Sequence, residues 1–540
     1  KMNELYSVAL LSLVVSTVQQ CAQQLEWTTN GVQVLVNGQP FVLKGVNYFG
    51  FETNTYVVHG IWQGSNKDLN FFLDFIQSNN FNAIRVPLSM ELIRNNPGNI
   101  DVQCDVNPEL CGKNALEILD IFIDRAAERG LLIMLDNHQI TGSSGITELW
   151  YNSDYSEADV ISLWQQLVTR YQDRWNVFAI DLKNEPHDSA TWGNSNSATD
   201  WNKAAERMIT ALSDFKGLYF VEGIEWGGRM EAAAQFPIST GNASLDNRVI
   251  YSAHCYGPSV TDRPEFHDAN YPNNLDAIYM GKYGFVPPTL NKPLIIGEWG
   301  GRAEEGTSDY TWNSWYASWL GSKCYSNNFY WCLNPNSGDT GGLLEDDWTT
   351  PIPRKLALAA QAQPNPTKFN ASNGQICITP GSYPVASCNN GVTSPPGVTT
   401  KSTAAPVTTS STAKATTSSP RATAAPSPVT QPPSLPAPST VPSAGSGVTI
   451  QVNTVNSWVE NGRTNGQYAL VITNNSSSKV CGVTIALNVV PSDKWNLNDA
   501  ANGEFALPSY ITLEVGASTD QPGFIAMGTV TANVVSFQNC

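Results

Sequence analysis

The sequence predicts an α/β chain, a (β/α)8 TIM barrel, followed by a separate C-terminal all-β sandwich module. Three observations predict it. Eight short apolar runs with polar ends alternate with amphipathic stretches between residues 41 and 362, the pattern of repeated strand–helix units. No glycine-rich phosphate loop follows the first run, which disfavours a doubly wound open sheet. Residues 391–446 are dominated by Ser, Thr and Pro, with three positive charges and neither acid nor aromatic. Such a segment buries no core and reads as an extended linker between two foldable parts.

Taken in order, the chain opens on Lys1, an apolar run from Val8 to Val15, and small or polar residues up to Gln24. That is the layout of a secretory signal peptide, expected over 1–22 and too short to span a bilayer. Its cleavage point falls after Thr17 or near Ala22. The barrel domain is expected over 23–390. Its strands are FVLKGVNYF (41–49), NAIRVPLS (82–89), LLIMLDNH (131–138), FAIDLKNE (178–185), LYFVEGIEW (218–226), VIYSAHCY (249–256), PLIIGEW (293–299) and NFYWCLN (328–334). Helical periodicity places helices at Asn66–Asn80, Ala115–Arg129, Ala158–Tyr171, Trp201–Phe215, Leu275–Tyr283, Tyr310–Leu320 and Arg354–Ala362. After the linker, residues 447–540 carry alternating β-branched runs such as YALVITN and VCGVTIALNVV separated by turn residues, the signature of a sandwich.

The formal charge is −17, and the six basic and six acidic residues after position 390 cancel, so the excess lies entirely before it. An acidic chain is a poor partner for nucleic acid or an anionic membrane. Aromatics make up 10% of the chain and include 16 Trp, a supply that sugar-binding clefts use. With export, disulfides are expected. Local spacing pairs Cys104 with Cys111 and Cys377 with Cys388, and Cys481 with Cys540 staples the sandwich. Cys21 leaves with the signal peptide or lies at its edge, and Cys255, Cys324 and Cys332 stay undecided. Sequons at Asn242, Asn370, Asn474 and Asn475 fit a glycosylated secreted protein.

Two strand ends carry the chemistry. The run Phe178–Leu182 stops at Lys183-Asn184-Glu185-Pro186, where the proline forbids a continuing central strand. Leu294–Ile296 is followed by Gly297-Glu298-Trp299-Gly300-Gly301. One such Glu is accounted for by capping the next helix; two at barrel strand ends are what acid and nucleophilic chemistry on a glycosidic bond requires. Arg85 sits within the second strand, where it either forms a buried ion pair or holds a catalytic carboxylate ionised and aimed. His138 ends the third strand, and His254 and Tyr256 end the sixth. Trp331, in the eighth, is either core or a stacking face for a sugar.

Arg85, His138, Asn184-Glu185, His254, Tyr256, Glu298 and Trp331 together resemble glycoside hydrolase family 5, across roughly residues 25–365. That family's recurrent set is one Arg, two His, an Asn-Glu pair, a Tyr, a second Glu and a Trp, and all occur here in order. Gly50-Phe51-Glu52-Thr53 with Tyr56–Trp62, and NPNSGDTGGLLEDDW at 334–348, look like its bacterial-type endoglucanase branch. The resemblance implies cleavage of internal β-1,4 bonds in cellulose by a retaining double displacement. It casts Glu298 as nucleophile supported by Arg85 and Tyr256, and Glu185 as acid and then base. Asn184 would bond the sugar 2-hydroxyl, and His138 and His254 would order the acid/base and the sugar. Trp62 and Trp226 would be sugar platforms. No cofactor or metal is needed.

In the C-terminal part, Trp458, Trp495 and Tyr510 stand in a spacing that resembles carbohydrate-binding module family 49. Core packing is the bland reading for each; exposed, they would form a flat platform for glucan faces. The expectation is a secreted, extracellular monomer acting on cellulose or a related β-glucan. Its rivals are a β-mannanase or other β-glucanase of the same family, and a non-catalytic wall-binding protein that kept the barrel.

Overall fold

The computed structural model describes residues 20–62, 66–385, 388 and 447–540, apart from 461–462, 492, 496, 501–502, 508–510, 520–521 and 528–529. They fall into two units divided near residue 400. The body of the expected signal peptide and the Ser/Thr/Pro segment 391–446 lie outside the described residues.

The first unit is a closed barrel of eight parallel strands. They are β1 (Lys44–Asn47), β2 (Ala83–Ser89), β3 (Leu132–Gln139), β4 (Val177–Asp181), β5 (Leu218–Glu222), β6 (Val249–Tyr256), β7 (Leu294–Gly300) and β8 (Asn328–Tyr330). Each pairs with its neighbour in sequence, and β8 pairs with β1. All strand residues except Tyr256 are buried, because helices cover one face and the barrel core the other. That double burial is why these strands read as continuous apolar runs rather than alternating ones.

The helices are α1 (Leu69–Ser78), α2 (Met90–Asn95), α3 (Ala115–Glu128), α4 (Glu157–Tyr171), α5 (Trp201–Ala211), α6 (Ala243–Asp246), α7 (Leu275–Tyr279), α8 (Ser308–Ser322) and α9 (Pro353–Ala362). Asn114 with Glu117 and Ser156 with Asp159 form reciprocal caps at the starts of α3 and α4, which fixes where those helices begin. Under the barrel, one small antiparallel sheet runs Trp27–Asn30, Gln33–Val36 and Gln39–Pro40. A second joins Gln20–Ala22, Gln375–Thr379 and Lys368–Ser372. Trp27 meets Phe41 edge-on at 4.9 Å and lies 5.2 Å from Phe178, so the strands' N-terminal ends are plugged with apolar side chains. Only the C-terminal ends are left to form a site.

Several expected boundaries shift. Strand β4 ends at Asp181, four residues short of Glu185, β5 ends at Glu222 and β8 at Tyr330. Residues 223–229 fold back on themselves through bridges Gly223–Gly227 and Ile224–Arg229 instead of extending β5 to Trp226. The helix expected over Leu275–Tyr283 is one α-helical stretch to Tyr279, followed by π-helical turns at Met280–Gly284 and Val286–Leu290.

The cysteine pairing is also corrected. Cys104–Cys111 and Cys481–Cys540 are bonded as expected, but Cys377 pairs with Cys21, and Cys388 with Cys324. The strand Gln20–Ala22 lies against Gln375–Thr379 with Cys21 directly opposite Cys377, a long-range register that outweighs short spacing. Of the two cleavage points considered, the one after Thr17 keeps this strand and the one near Ala22 removes it. Cys255 and Cys332 are buried thiols.

The second unit contains two antiparallel sheets. One orders Val448–Glu460, Arg463–Asn474, Gly523–Met527 and Asp493–Trp495, with Ser518–Thr519 alongside the second of these. The other orders Asn498–Asp499, Phe505–Ala506, Val480–Leu487 and Ala532–Asn539. Leu470, Ile472, Val483, Ile485 and Phe524 fill one shared core. Tyr510 lies outside the described residues, and Trp458 and Trp495 are described only as strand backbone. Asn242, Asn370 and Asn475 are exposed, but Asn474 is buried and its Nδ2 donates to the carbonyls of Ser478, Leu513 and Glu514. That asparagine is a structural bond-maker, not an accessible sequon. Among the described residues no helix is long and apolar enough to cross a membrane.

Candidate active site

The strand ends converge on Arg85, which is wholly buried in β2. Its Nε donates to Asp181 Oδ2 at 3.1 Å, one terminal nitrogen to Glu298 Oε1 at 2.5 Å and Asn47 Oδ1 at 3.1 Å. The other reaches Asn184 Oδ1 at 2.9 Å and Glu222 Oε1 at 3.1 Å, and lies 3.1 Å from Asp136 Oδ2. The buried ion pairs expected of Arg85 are present, and Glu298 is one of their partners. Burial opposes its charge, but the four surrounding carboxylates hold the guanidinium well above its ordinary pKa.

Glu298, in β7, is 3% exposed and gripped from a second side by the Tyr256 hydroxyl, which donates to Oε2 at 2.5 Å. Burial pushes its carboxyl up, while the charges of His254 and Arg85 pull against that rise. Glu185 lies past the end of β4 with φ at +52°, a left-handed conformation that non-glycine residues seldom adopt. His254 Nδ1 bonds Glu185 Oε1 at 3.0 Å and lies 3.6 Å from Glu298 Oε2. A carboxylate oxygen of Glu185, one of Glu298 and a ring nitrogen of His254 all fall within 4.8 Å of one another.

Burial would discharge His254, but Glu222 and Glu298 raise its pKa well above the ordinary histidine value. Asp181, Glu222 and His254 also bring ligand atoms within 4.8 Å. The positive charge these acids need is already supplied by Arg85 and the imidazolium, so their donor chemistry does not call for a cation. His138 bonds Asp136 Oδ2 through Nδ1 at 2.7 Å and stacks on Trp331 at 5.6 Å and 9°. Trp331 is stacked on Phe49 as well, at 5.7 Å and 8°, and its Nε1 donates to Ser337 Oγ. Asn184 accepts from Arg85 through Oδ1, while its Nδ2 is buried without a hydrogen-bond partner.

Of the two outlying tryptophans, Trp226 is 46% exposed and lies flat on His187, ring centres 3.6 Å apart. Its backbone N–H bonds the Pro186 carbonyl, tying it to the Glu185 loop. Trp62 is half-buried, edge-on to His59 at 4.4 Å and to Trp348 at 5.6 Å. Sequence reasoning missed Asp136, Asp181, Lys183 and Glu222, all fully buried here. The signal was present: Asp181 and Glu222 are acidic ends of apolar runs, the pattern that singled out Glu185 and Glu298.

A family model described as cellulase (glycosyl hydrolase family 5) matches residues 34–337, and one for the carbohydrate binding domain CBM49 matches 448–526. An endoglucanase of Paenibacillus polymyxa is 38% identical over 331 residues, covering 58% of this chain and 81% of that protein. The major extracellular endoglucanase of Xanthomonas campestris pv. campestris is 37% identical over 369 residues, covering 65% and 74%. Among solved structures, the hyperthermophilic endocellulase from the archaeon Pyrococcus horikoshii aligns at TM-score 0.59 and 34% identity, over 63% of this chain and 99% of its own.

Proposed function

Since the chain belongs to glycosyl hydrolase family 5, the cellulase family, we propose that it is a secreted endo-β-1,4-glucanase that cuts cellulose internally with retention at the anomeric carbon. The observation that carries this reading is the closeness of the two carboxylates, whose nearest oxygens fall within 4.8 Å. Retaining enzymes keep their carboxyl groups about 5–5.5 Å apart, whereas inverting ones need roughly 6.5–9.5 Å to admit a water between acid and base.

Glu298 is the nucleophile, its oxygens aimed by Arg85 and Tyr256. In the first step a Glu298 oxygen bonds the anomeric carbon while the glycosidic C–O bond breaks, and the leaving oxygen takes the Glu185 proton. In the second, water attacks the same carbon, gives its proton to Glu185 and releases Glu298 as a carboxylate. The unpartnered Nδ2 of Asn184 supports its assignment to the sugar 2-hydroxyl. Trp331 is the stacking face nearest the reaction, and Trp62 and Trp226 extend the sugar platform. His138 acts through Asp136 and Trp331; His254 touches the acid/base directly.

Residues 391–446 act as the linker and 447–540 as a polysaccharide-binding module with Trp458, Trp495 and Tyr510 as its contact aromatics. Export is supported by four disulfides, which persist in oxidising compartments. The test is viscosity loss against reducing-end release on carboxymethylcellulose, with galactomannan in parallel. A fast viscosity drop with few new ends, on the cellulose derivative alone and absent in Glu298→Gln, is expected. Preference for galactomannan would overturn the substrate, a first-formed α-anomer the stereochemistry, and unchanged hydrolysis by Glu298→Gln the catalytic assignment.

A further inference from the structure

A third carboxylate, neither of the two assigned to the reaction, is built into this site. Glu222 ends β5 and is fully buried. Its Oε2 accepts the backbone N–H of Glu185 at 2.8 Å. Its Oε1 lies 3.1 Å from Arg85 and 3.1 Å from His254 Nε2. Because Nδ1 of the same imidazole bonds the Glu185 side chain, Glu222 reaches Glu185 by two routes, one through the backbone and one through the ring.

The surroundings leave little freedom for this carboxylate. Trp201 Nε1 donates to the Glu222 backbone carbonyl at 2.9 Å. A Cβ at Gly227 would come within 2.9 Å of Glu222 Oε2 and 3.1 Å of the His254 side chain. The fold-back at 223–229 thus closes over the Glu222–His254 pair, as only a glycine permits at that distance. The backbone that Glu222 grips is the left-handed one at Glu185, a conformation that persists only where neighbours over-determine it.

We propose that Glu222 is a positioning residue for the acid/base Glu185, fixing its strained backbone by one oxygen and its imidazolium partner by the other. The inference rests on the reading of Glu185 as acid/base. His254 Nδ1 bonds Glu185 at 3.0 Å, while its Nε2 lies 3.1 Å from Glu222 Oε1 as an ion-pair contact without hydrogen-bond geometry. With carboxylates beside both nitrogens the ring is held charged and presents Nδ1–H to Glu185. The groups that face Glu222 are Arg85 from β2, Asp136 from β3, Asp181 and Lys183 from β4 and its continuation, His254 from β6 and, through Arg85 and His254, Glu298 from β7. Burial opposes the charge of Glu222, but His254, Arg85 and the Glu185 N–H hold its carboxyl well below the ordinary carboxylate range, so it is the ionised form that faces the imidazole. Without its charge the imidazole can lose the Nε2 proton, and Glu185 loses a fixed donor just where its own proton must be delivered.

The test compares Glu222→Gln with the unaltered full-length enzyme on cellotetraose, whose leaving group needs a proton, and on dinitrophenyl β-cellobioside, whose leaving group does not. The expected result is a loss of about 100-fold in kcat on cellotetraose, the scale of general-acid help, with KM nearly unchanged. The first-turnover release of dinitrophenol should fall only a few-fold, and the alkaline limb of the pH profile should move down. Equal losses on both substrates with an unmoved pH profile would reduce Glu222 to a packing role and overturn the proposal. Full activity on cellotetraose would overturn it outright.

If Glu222→Gln does not fold, Glu222→Asp keeps the charge but withdraws it by one methylene and must show the same dependence on leaving group. Nitrogen NMR on the unaltered enzyme adds an independent arm, since a His254 imidazole that titrates in the ordinary histidine range overturns the proposal whatever the variants do. Glu185→Ala on the same substrate pair separates the two levels. A leaving-group dependence there but not in Glu222→Gln sinks only the positioning role, whereas none in either removes the acid/base reading beneath it.

Discussion

Glu52 lies 5% exposed at the mouth of the barrel, its Oε2 accepting the Gly50 N–H at 2.7 Å and its carbonyl accepting from Gln139. Burial pushes its carboxyl up to about 7, though the His138 charge works against the rise. A folded-state pKa above the unfolded one means that the group favours folding fully below about 4.5 and loses that contribution as pH rises through about 7. Glu52→Gln, neutral at every pH, should therefore gain a few degrees of Tm on the unaltered enzyme between pH 5 and pH 8; calorimetry at the two values checks it. At this scale the sequence was partly legible. Glu185 and Glu298 announce themselves as carboxylates ending apolar runs, and Glu222 carries the same mark. What no run of residues reveals is which oxygen meets which nitrogen, because Arg85 gathers Asp136, Asp181, Glu222 and Glu298 from four different strands.

The strands themselves were legible because both of their faces are buried, which writes short unbroken apolar runs such as Leu131–Leu135, Leu218–Val221 and Leu294–Ile296. Their ends were not, since β4 leaves the ladder at Asp181 while the chain runs on for three more buried residues before Glu185. The short sheets under the barrel and the one-and-a-half-turn helix α2 carry too few residues for any period to emerge. Strand β7 shows how closely an element and a site can be joined: a Cβ at Gly297 would lie 2.6 Å from Ser252 Oγ and 2.7 Å from His254 Nε2. Gly297→Ala must push the imidazole off its carboxylates. It should cost about 1–3 kcal/mol of stability, as overpacked cores do, and lower kcat at least tenfold while KM holds. Thermal melts and steady-state kinetics on one preparation test both halves, and a loss of Tm without any loss of kcat would show that His254 tolerates displacement.

For the whole molecule, composition changes at residue 391, the chain falls into two units that divide near residue 400, and the second carries the carbohydrate-binding family match over 448–526. A chain ending at residue 390 should turn over soluble carboxymethylcellulose within about two-fold of the full-length rate. On insoluble cellulose it should lose about tenfold or more, since tethering raises local concentration without adding a catalytic contact. Equal rates on the insoluble polymer would leave the second unit without a part in hydrolysis. The cysteine pairs were the least legible feature at this scale, because they are set by registers that span the fold. Cys21–Cys377 and Cys324–Cys388 interleave along the chain. A single proteolytic nick anywhere between Cys21 and Cys377 leaves its two fragments bridged by the first bond. A nick between Cys377 and Cys388 is bridged by the second. On a denaturing gel without reductant such molecules run as one band, and with reductant as two. A cut between Cys388 and Cys481, by contrast, separates the two units under both conditions, because no disulfide spans that stretch among the four bonds described.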